Sequence, residues 1–261
     1  MNERLFRTQF NQMETTEKQA LMESLATRYD MTFLGLHTFD RWGKNCTTGI
    51  FEKGGREFVF VPGDTVTLGW EQFAVGLNQE SRDELEYLFR EWELERDPEE
   101  MIRERMAPVR QAAIGPMLVG RELDELCWEP VTMDDPRLTA HPDWLKKFRE
   151  FAWSDLDGLT LHQSARIERM EKGFQIWIYN RTDYDALLAG LEQQGLSLPT
   201  ADEWAYLCGG GCRTLFPWGD GLDYSMHLHH FEDMEEDGDR PYDMEEPNFF
   251  GLSIAYDPYM R

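Results

Sequence analysis

The sequence predicts an α+β fold, because helical and strand-like patterns both recur along its 261 residues. Residues 16–29 and 81–92 each begin with a capping-box pattern and continue with apolar residues at helical spacing. Residues 174–179, Phe-Gln-Ile-Trp-Ile-Tyr, form a compact aromatic and β-branched run that is typical of a buried strand. With 41% apolar residues, the chain has enough material for a sizeable core.

The first half predicts helices followed by a hairpin. Thr16 and Gln19 cap the first helix, and we assign residues 1–56 to an N-terminal helical extension. Pro62-Gly63-Asp64 separates two β-rich runs, so residues 57–69 are expected to form a β-hairpin.

Later elements follow the same signals. Ser81 and Glu84 cap the helix over 81–92, and a short helix is expected before Pro108. Thr182 is expected to cap a helix after the strand at 174–179, and Gly195 to end it. No repeat or linker interrupts the chain, so a single domain over residues 1–261 is predicted.

Charge restricts the classes of partner. The chain carries 50 acidic and 26 basic residues, a formal net charge of -24, which disfavours binding to nucleic acid or to a membrane surface. A basic protein partner remains compatible with this charge. The absence of a long apolar run and the presence of only four cysteines favour a cytoplasmic protein with reduced thiols.

Three short segments in the second half carry a resemblance. They are residues 198–204 (Leu-Pro-Thr-Ala-Asp-Glu-Trp), 216–220 (Phe-Pro-Trp-Gly-Asp) and 247–252 (Pro-Asn-Phe-Phe-Gly-Leu), called here the signature segments. In this order they resemble the signature of the formylglycine-generating enzyme and sulfatase-modifying factor family, which has a C-type-lectin-like fold. The matching positions, expected to be structural, are Leu198, Pro199, Thr200, Glu203, Trp204, Pro217, Trp218, Gly219, Asp220, Asn248, Gly251 and Leu252.

The resemblance implies a formylglycine-enzyme-like region over residues 57–261. Trp204 and Trp218 are candidates for lining a ligand pocket, although tryptophans at matched signature positions are more often core anchors. Family members continue after the Phe-Gly-Leu motif with a tail that carries copper-binding cysteines. Here nine residues follow Leu252, and no cysteine lies beyond Cys212. The fold is therefore expected to be incomplete at its C-terminus and to lack the catalytic segment, either as a naturally shortened relative or because a longer original has lost its end. The missing strands would leave sheet edges that favour contact with another protein.

One cluster of side chains suits a metal. His227, His229 and His230, with Cys208 and Cys212, form a candidate transition-metal site, for which a carboxylate such as Asp223 or Glu232 is a further candidate ligand. The nine carboxylates within residues 232–246 are compatible with calcium, although their order does not fit an EF-hand loop. The alternative for both segments is a solvated polar loop without a metal.

These observations predict a non-catalytic binding protein whose acidic surface recognises a protein partner, such as a basic toxin. The alternative is a metal-dependent oxidase-like enzyme that uses the Cys/His cluster. A structural subunit without a ligand is a third reading. No cofactor follows directly from the sequence.

Overall fold

The computed structural model describes residues 2–123, 127–170, 172–221, 225–227 and 242–254. The chain has an α+β fold with antiparallel sheets. Its contacts divide it into two compact units: unit 1 comprises Met1–Leu123 and Pro199–Arg261, and unit 2 comprises Asp124–Leu198. The sequence predicts a single domain over residues 1–261, because it shows no boundary in the chain.

Unit 1 begins with a short 3-10 turn, Glu3–Leu5, followed by helices α1 (Arg7–Gln12) and α2 (Thr15–Tyr29). The capping box of α2 uses Glu14 and Glu17 instead of the predicted Thr16 and Gln19, so the helix starts earlier than expected. The strands of this unit are β1 (Thr32–Arg41), β2 (Lys44–Lys53), β3 (Arg56–Val61), β4 (Asp64–Leu68), β5 (Arg110–Ile114) and β6 (Met117–Gly120).

Strands β1 and β2 correct the prediction that residues 1–56 are helical. Helix α2 ends at Asp30, which adopts a left-handed conformation, and the chain then turns back on itself as a hairpin. Both strands are rich in β-branched and aromatic residues, which fit a pleated surface better than a helix.

The hairpin expected over residues 57–69 does not form, although both of its strands exist. β3 pairs with β2 and β6 in a sheet of order β1-β2-β3-β6, whereas β4 pairs with β5 in a second sheet. Gly63 lies at the corner between them, where its carbonyl accepts from Arg7 N (2.8 Å) and its N–H donates to Leu5 O (3.1 Å). The Pro-Gly signal therefore marks a change of sheet.

A long excursion separates β4 from β5. Residues 69–109, called here the acidic excursion, contain helices α3 (Gln79–Glu91) and α4 (Pro98–Arg103). The two ends of the acidic excursion lie next to each other: Leu68 pairs with Arg110, and Trp70 N donates to Ala107 O at 3.1 Å. Asn78 caps α3, so this helix also begins before the predicted Ser81.

The core of unit 1 lies between the larger sheet, helices α1 and α2, and helix α8 (Ala201–Gly209) with the third signature segment. Its largest fully buried side chains are Phe10, Met22, Phe51, Val59, Val61, Tyr206, Leu207, Phe249 and Phe250. The Tyr206 hydroxyl donates to Pro62 O at 2.9 Å, so its burial leaves no unpaired polar group.

Unit 2 is a four-stranded sheet with helices. Its elements are β7 (Trp128–Val131), α5 (Pro136–Thr139), α6 (Pro142–Phe151), β8 (Gly158–Leu161), β9 (Ala165–Met170), β10 (Gly173–Tyr179) and α7 (Tyr184–Gln193), with strand order β7-β10-β9-β8. The predicted strand at 174–179 is confirmed as β10, and Gly195 has the expected positive φ after α7. The core comprises Leu138, Phe148, Phe151, Ala165, Ile167, Ile176 and Ile178. Within the described residues, no helix has the length and apolar character that a membrane span requires.

Candidate functional site

The first signature segment forms the start of helix α8. Glu203 N donates to Thr200 Oγ1 at 3.2 Å, and Thr200 N donates to Glu203 Oε2 at 2.7 Å, so the predicted capping box is confirmed. Glu203 is thereby engaged in local structure. Leu198 and Pro199 precede the helix and are exposed. Trp204 is 42% exposed, so the prediction that it anchors the core is wrong.

The second segment is a tight turn organised by Asp220, which is only 2% exposed. Its Oδ1 accepts from Leu215 N at 2.9 Å, and its Oδ2 accepts from Val75 N at 2.6 Å and Gly76 N at 3.0 Å. Asp220 therefore fixes the acidic excursion to this turn. The turn itself runs through Pro217 and Gly219, and the partly buried Trp218 stacks on Phe216 with ring centroids 4.9 Å apart.

The third segment is organised by Asn248, which is fully buried. Its Nδ2 donates to Leu207 O at 2.8 Å, and its Oδ1 accepts from Phe250 N at 2.9 Å and Leu252 N at 3.2 Å. Gly251 has φ +84° and packs against the Phe39 ring, where a Cβ would collide. Together, Thr200, Asp220 and Asn248 with their partners form what we call the signature junction.

The two cysteines flank the end of helix α8. Burial raises the pKa of the Cys208 thiol to about 11, so a metal bound by its thiolate would have to displace a proton that is held more tightly than usual. Lys44 Nζ donates to Gly209 O at 2.5 Å, which neutralises the carbonyl end of the helix just before Cys212. Burial also lowers the pKa of Lys44.

His227 is the member of the histidine cluster that lies in the described part of the chain. It is buried, its ring stacks on Tyr242 with centroids 4.5 Å apart, and its backbone N–H donates to Asp243 Oδ2 at 2.6 Å. The remaining predicted ligands of the metal site lie outside the described residues: Asp223, His229, His230 and Glu232. Most of the predicted calcium-binding tract, residues 232–241, lies outside them as well. Within the described residues, no group of three or more metal-binding side chains occurs.

An open groove of about 670 Å³ lies beside the signature junction. It is lined by His37, Thr38, Phe39, Asp40, Arg41, Trp42, Arg121, Trp218, Ser225, Met226, Asp243, Glu246 and Pro247. Its volume falls in the range of about 300–1,000 Å³ that ligand sites occupy. Of these residues, the sequence patterns single out Trp218 individually and cover Asp243, Glu246 and Pro247 within longer segments. Gly43 was the signal available in the sequence, because glycine favours the positive φ that Trp42 and Gly43 both adopt in the two-residue turn between β1 and β2.

Two arginines of the groove are engaged by carboxylates. Arg41 lies 3.4 Å from Asp243 Oδ1 and 3.3 Å from Glu246 Oε2, and its guanidinium stands 4.8 Å from the Trp42 ring centroid. Its Nη1 is buried and, despite the nearby Glu246, makes no well-aligned hydrogen bond. Arg121 forms an ion pair with Glu57 and donates from Nε to Gly251 O at 3.1 Å. The positive charge inside the groove is therefore already balanced.

The acidic excursion presents a second surface. It carries twelve carboxylates and five arginines. Tyr87 and Trp92 project from helix α3 and its C-terminal end, with 57% and 64% of their surfaces exposed. Large exposed aromatic side chains among charged ones are a feature of recognition surfaces.

No protein-family model, curated protein or solved structure matches this chain. The resemblance to the formylglycine-generating enzyme family therefore rests on the signature segments and stays a prediction. The contacts described above give these segments structural roles within unit 1.

Proposed function

We propose that this protein is a non-catalytic binding protein that recognises a basic protein partner through the acidic excursion. The proposal is carried by one observation: two exposed aromatic side chains lie among carboxylates, Tyr87 on helix α3 and Trp92 at its C-terminal end. The helix itself buries few of its residues. Tyr and Trp are enriched among the residues that contribute most to protein interfaces.

The geometry of helix α3 supports this role. Its buried residues are Ser81 and Phe89, which leaves the opposite face to solvent. Asp83, Tyr87 and Glu91 follow one another at four-residue spacing on that exposed face, so a carboxylate lies one turn before and one turn after the Tyr87 ring. A lysine or arginine of a partner can contact the ring and a carboxylate together.

Charge over the whole molecule supports the same class of partner. With a formal net charge of -24, the protein attracts basic proteins over distances beyond direct contact and accelerates their encounter with it. Burial of the aromatic rings then supplies affinity that charge alone does not, because exposed ion pairs contribute only about 0–1 kcal/mol each.

The metal-dependent oxidase alternative has less support from the described residues. Burial raises the pKa of Cys208, and His227 stacks on Tyr242. The contacts of Glu203, Asp220 and Asn248 are with the backbone that surrounds them. We therefore retain the binding role as the proposal.

Site-specific photocrosslinking tests this proposal. We would place p-benzoylphenylalanine at position 87 or 92 in cells and identify the adducts by mass spectrometry, with position 29 as control, since Tyr29 is also exposed on unit 1. The proposal expects a basic protein crosslinked from positions 87 and 92 but not from 29. Identical adducts from all three positions, or none at physiological salt, would refute it.

A further inference from the structure

Strand β1 presents a long edge to the groove. In the sheet order β1-β2-β3-β6, β1 is terminal, and among the described residues no strand pairs with its other side. It is ten residues long, whereas β6 at the opposite edge has four. A strand edge of this length displays a row of backbone N–H and C=O groups that can pair with another chain.

The lining of the groove indicates that it follows this edge. Residues 37–42 all line it, without a break. Successive side chains of a strand point to opposite faces of the sheet, so a cavity over one face would contact every second residue. Six consecutive lining residues include both faces of the strand, which is the pattern expected of a groove along the edge of β1 and its turn.

The charge left unbalanced in the groove is negative. Arg41 and Arg121 are paired with Asp243, Glu246 and Glu57. Asp40 is exposed and, among the described residues, forms no ion pair. A basic segment complements this arrangement, and an acidic segment would be repelled by it and by the net charge of the protein.

Aromatic side chains give the groove a place for long basic side chains. Trp42 and Trp218 lie with ring centroids 5.6 Å apart at the turn end of β1. Arg41 already lies over Trp42 and Phe216 stacks on Trp218, so these rings contribute apolar surface against which the aliphatic stems of lysine and arginine can pack. Side-chain contacts of this kind supply specificity when the affinity comes from main-chain pairing.

We propose that the groove binds an extended basic segment of a protein partner, which pairs with β1 as an added strand. This inference rests on the proposed function and names a second contact surface for the same class of partner. The acidic excursion recognises the charge and apolar surface of the partner, whereas the groove recognises extended backbone.

Synthetic peptides test the inference on the full chain. The probe is a nine-residue peptide of alternating lysine and valine, and its control is the same peptide N-methylated at every internal residue, which keeps the charge and removes the backbone donors. We expect isothermal titration calorimetry at physiological salt to give at least tenfold tighter binding of the unmethylated peptide. Amide exchange over residues 32–42 should slow in its complex.

Two variants with the same charge change locate the binding. Asp40→Lys, in the groove, should weaken the peptide at least fivefold, whereas Glu192→Lys, at an exposed position of helix α7 in unit 2 and outside both proposed contact surfaces, should change its affinity less than twofold. Unchanged thermal melting would establish that both variants fold. Equal binding of the two peptides, or equal losses in the two variants, would overturn the inference and reveal charge attraction alone. Adducts at position 87 together with that result would leave the proposed function standing.

Discussion

The signature junction and the acidic excursion belong to the same unit and use polar groups in opposite ways. At the junction, Asp220 and Asn248 are buried. Asp220 accepts hydrogen bonds from three backbone N–H groups, and Asn248 accepts two and donates one to the backbone. In the excursion, most carboxylates face solvent around Tyr87 and Trp92. Substitutions at the junction should therefore cost stability, and those on the excursion should cost binding.

The largest expected effect is at the junction. Asn248→Leu keeps the branched shape of the side chain but leaves Leu207 O, Phe250 N and Leu252 N buried without partners. Because each such group costs about 1–3 kcal/mol, we expect the free energy of unfolding to fall by about 4 kcal/mol in urea denaturation. Asn45→Leu, at an exposed position, is the control and should change it by less than about 0.5 kcal/mol. A loss below about 1 kcal/mol for Asn248→Leu would contradict the structural role.

The thiol at the end of α8 gives the next effect. Because burial raises the pKa of Cys208 from 9.0 to about 11, its thiolate fraction at pH 8 should be about one hundredth of that in the unfolded chain. Alkylation by iodoacetamide, followed by mass spectrometry, should slow by about that factor relative to protein in urea. Zinc should not change the rate in the folded protein; protection by zinc would instead revive the metal-site alternative.

A smaller effect is expected at the capping box of α8. Thr200→Ala removes the acceptor for Glu203 N and should lower the free energy of unfolding by about 1 kcal/mol, measured by thermal melting. Ser197→Ala, at an exposed position three residues earlier, provides the comparison and should be close to neutral. Equal effects of the two substitutions would show that the cap contributes nothing.

The smallest effect on stability is expected at the excursion surface. Trp92→Ala should change the free energy of unfolding by less than about 0.5 kcal/mol, yet weaken the crosslinked partner at least tenfold. Trp70→Ala, in the same excursion but only 3% exposed, should instead cost about 3–5 kcal/mol. A large stability loss from Trp92→Ala would mean that this ring is structural, and the contrast between the two regions would fail.

The elements that the sequence predicts well are those whose signals are local. The capping box of Thr200 and Glu203, strand β10 and the glycine after α7 each depend on residues a few positions apart. The hairpin at 57–69 failed because the pairing partner of β4 is β5, which follows only after the excursion. Turn residues indicate where a chain bends, but they do not determine which strands it joins.

The groove was beyond the reach of sequence patterns for the same reason. Arg41, Arg121, Trp218 and Asp243 come from four separate segments, and only tertiary folding brings them together. The histidine cluster, in contrast, was conspicuous as a pattern, yet His227 stacks against Tyr242. Histidines that are neighbours in the sequence therefore did not indicate the groove, whose lining residues come from separate segments.

The meeting of the two ends of the excursion also has a consequence for folding. Gly69 has φ +88° and passes so close to Pro108 that a Cβ would collide, so the chain leaves and rejoins the sheet at one point. Closing a loop of this length instead of a two-residue turn costs about 2–3 kcal/mol of chain entropy. We therefore expect a shortened chain in which a tight turn joins β4 and β5 to fold faster.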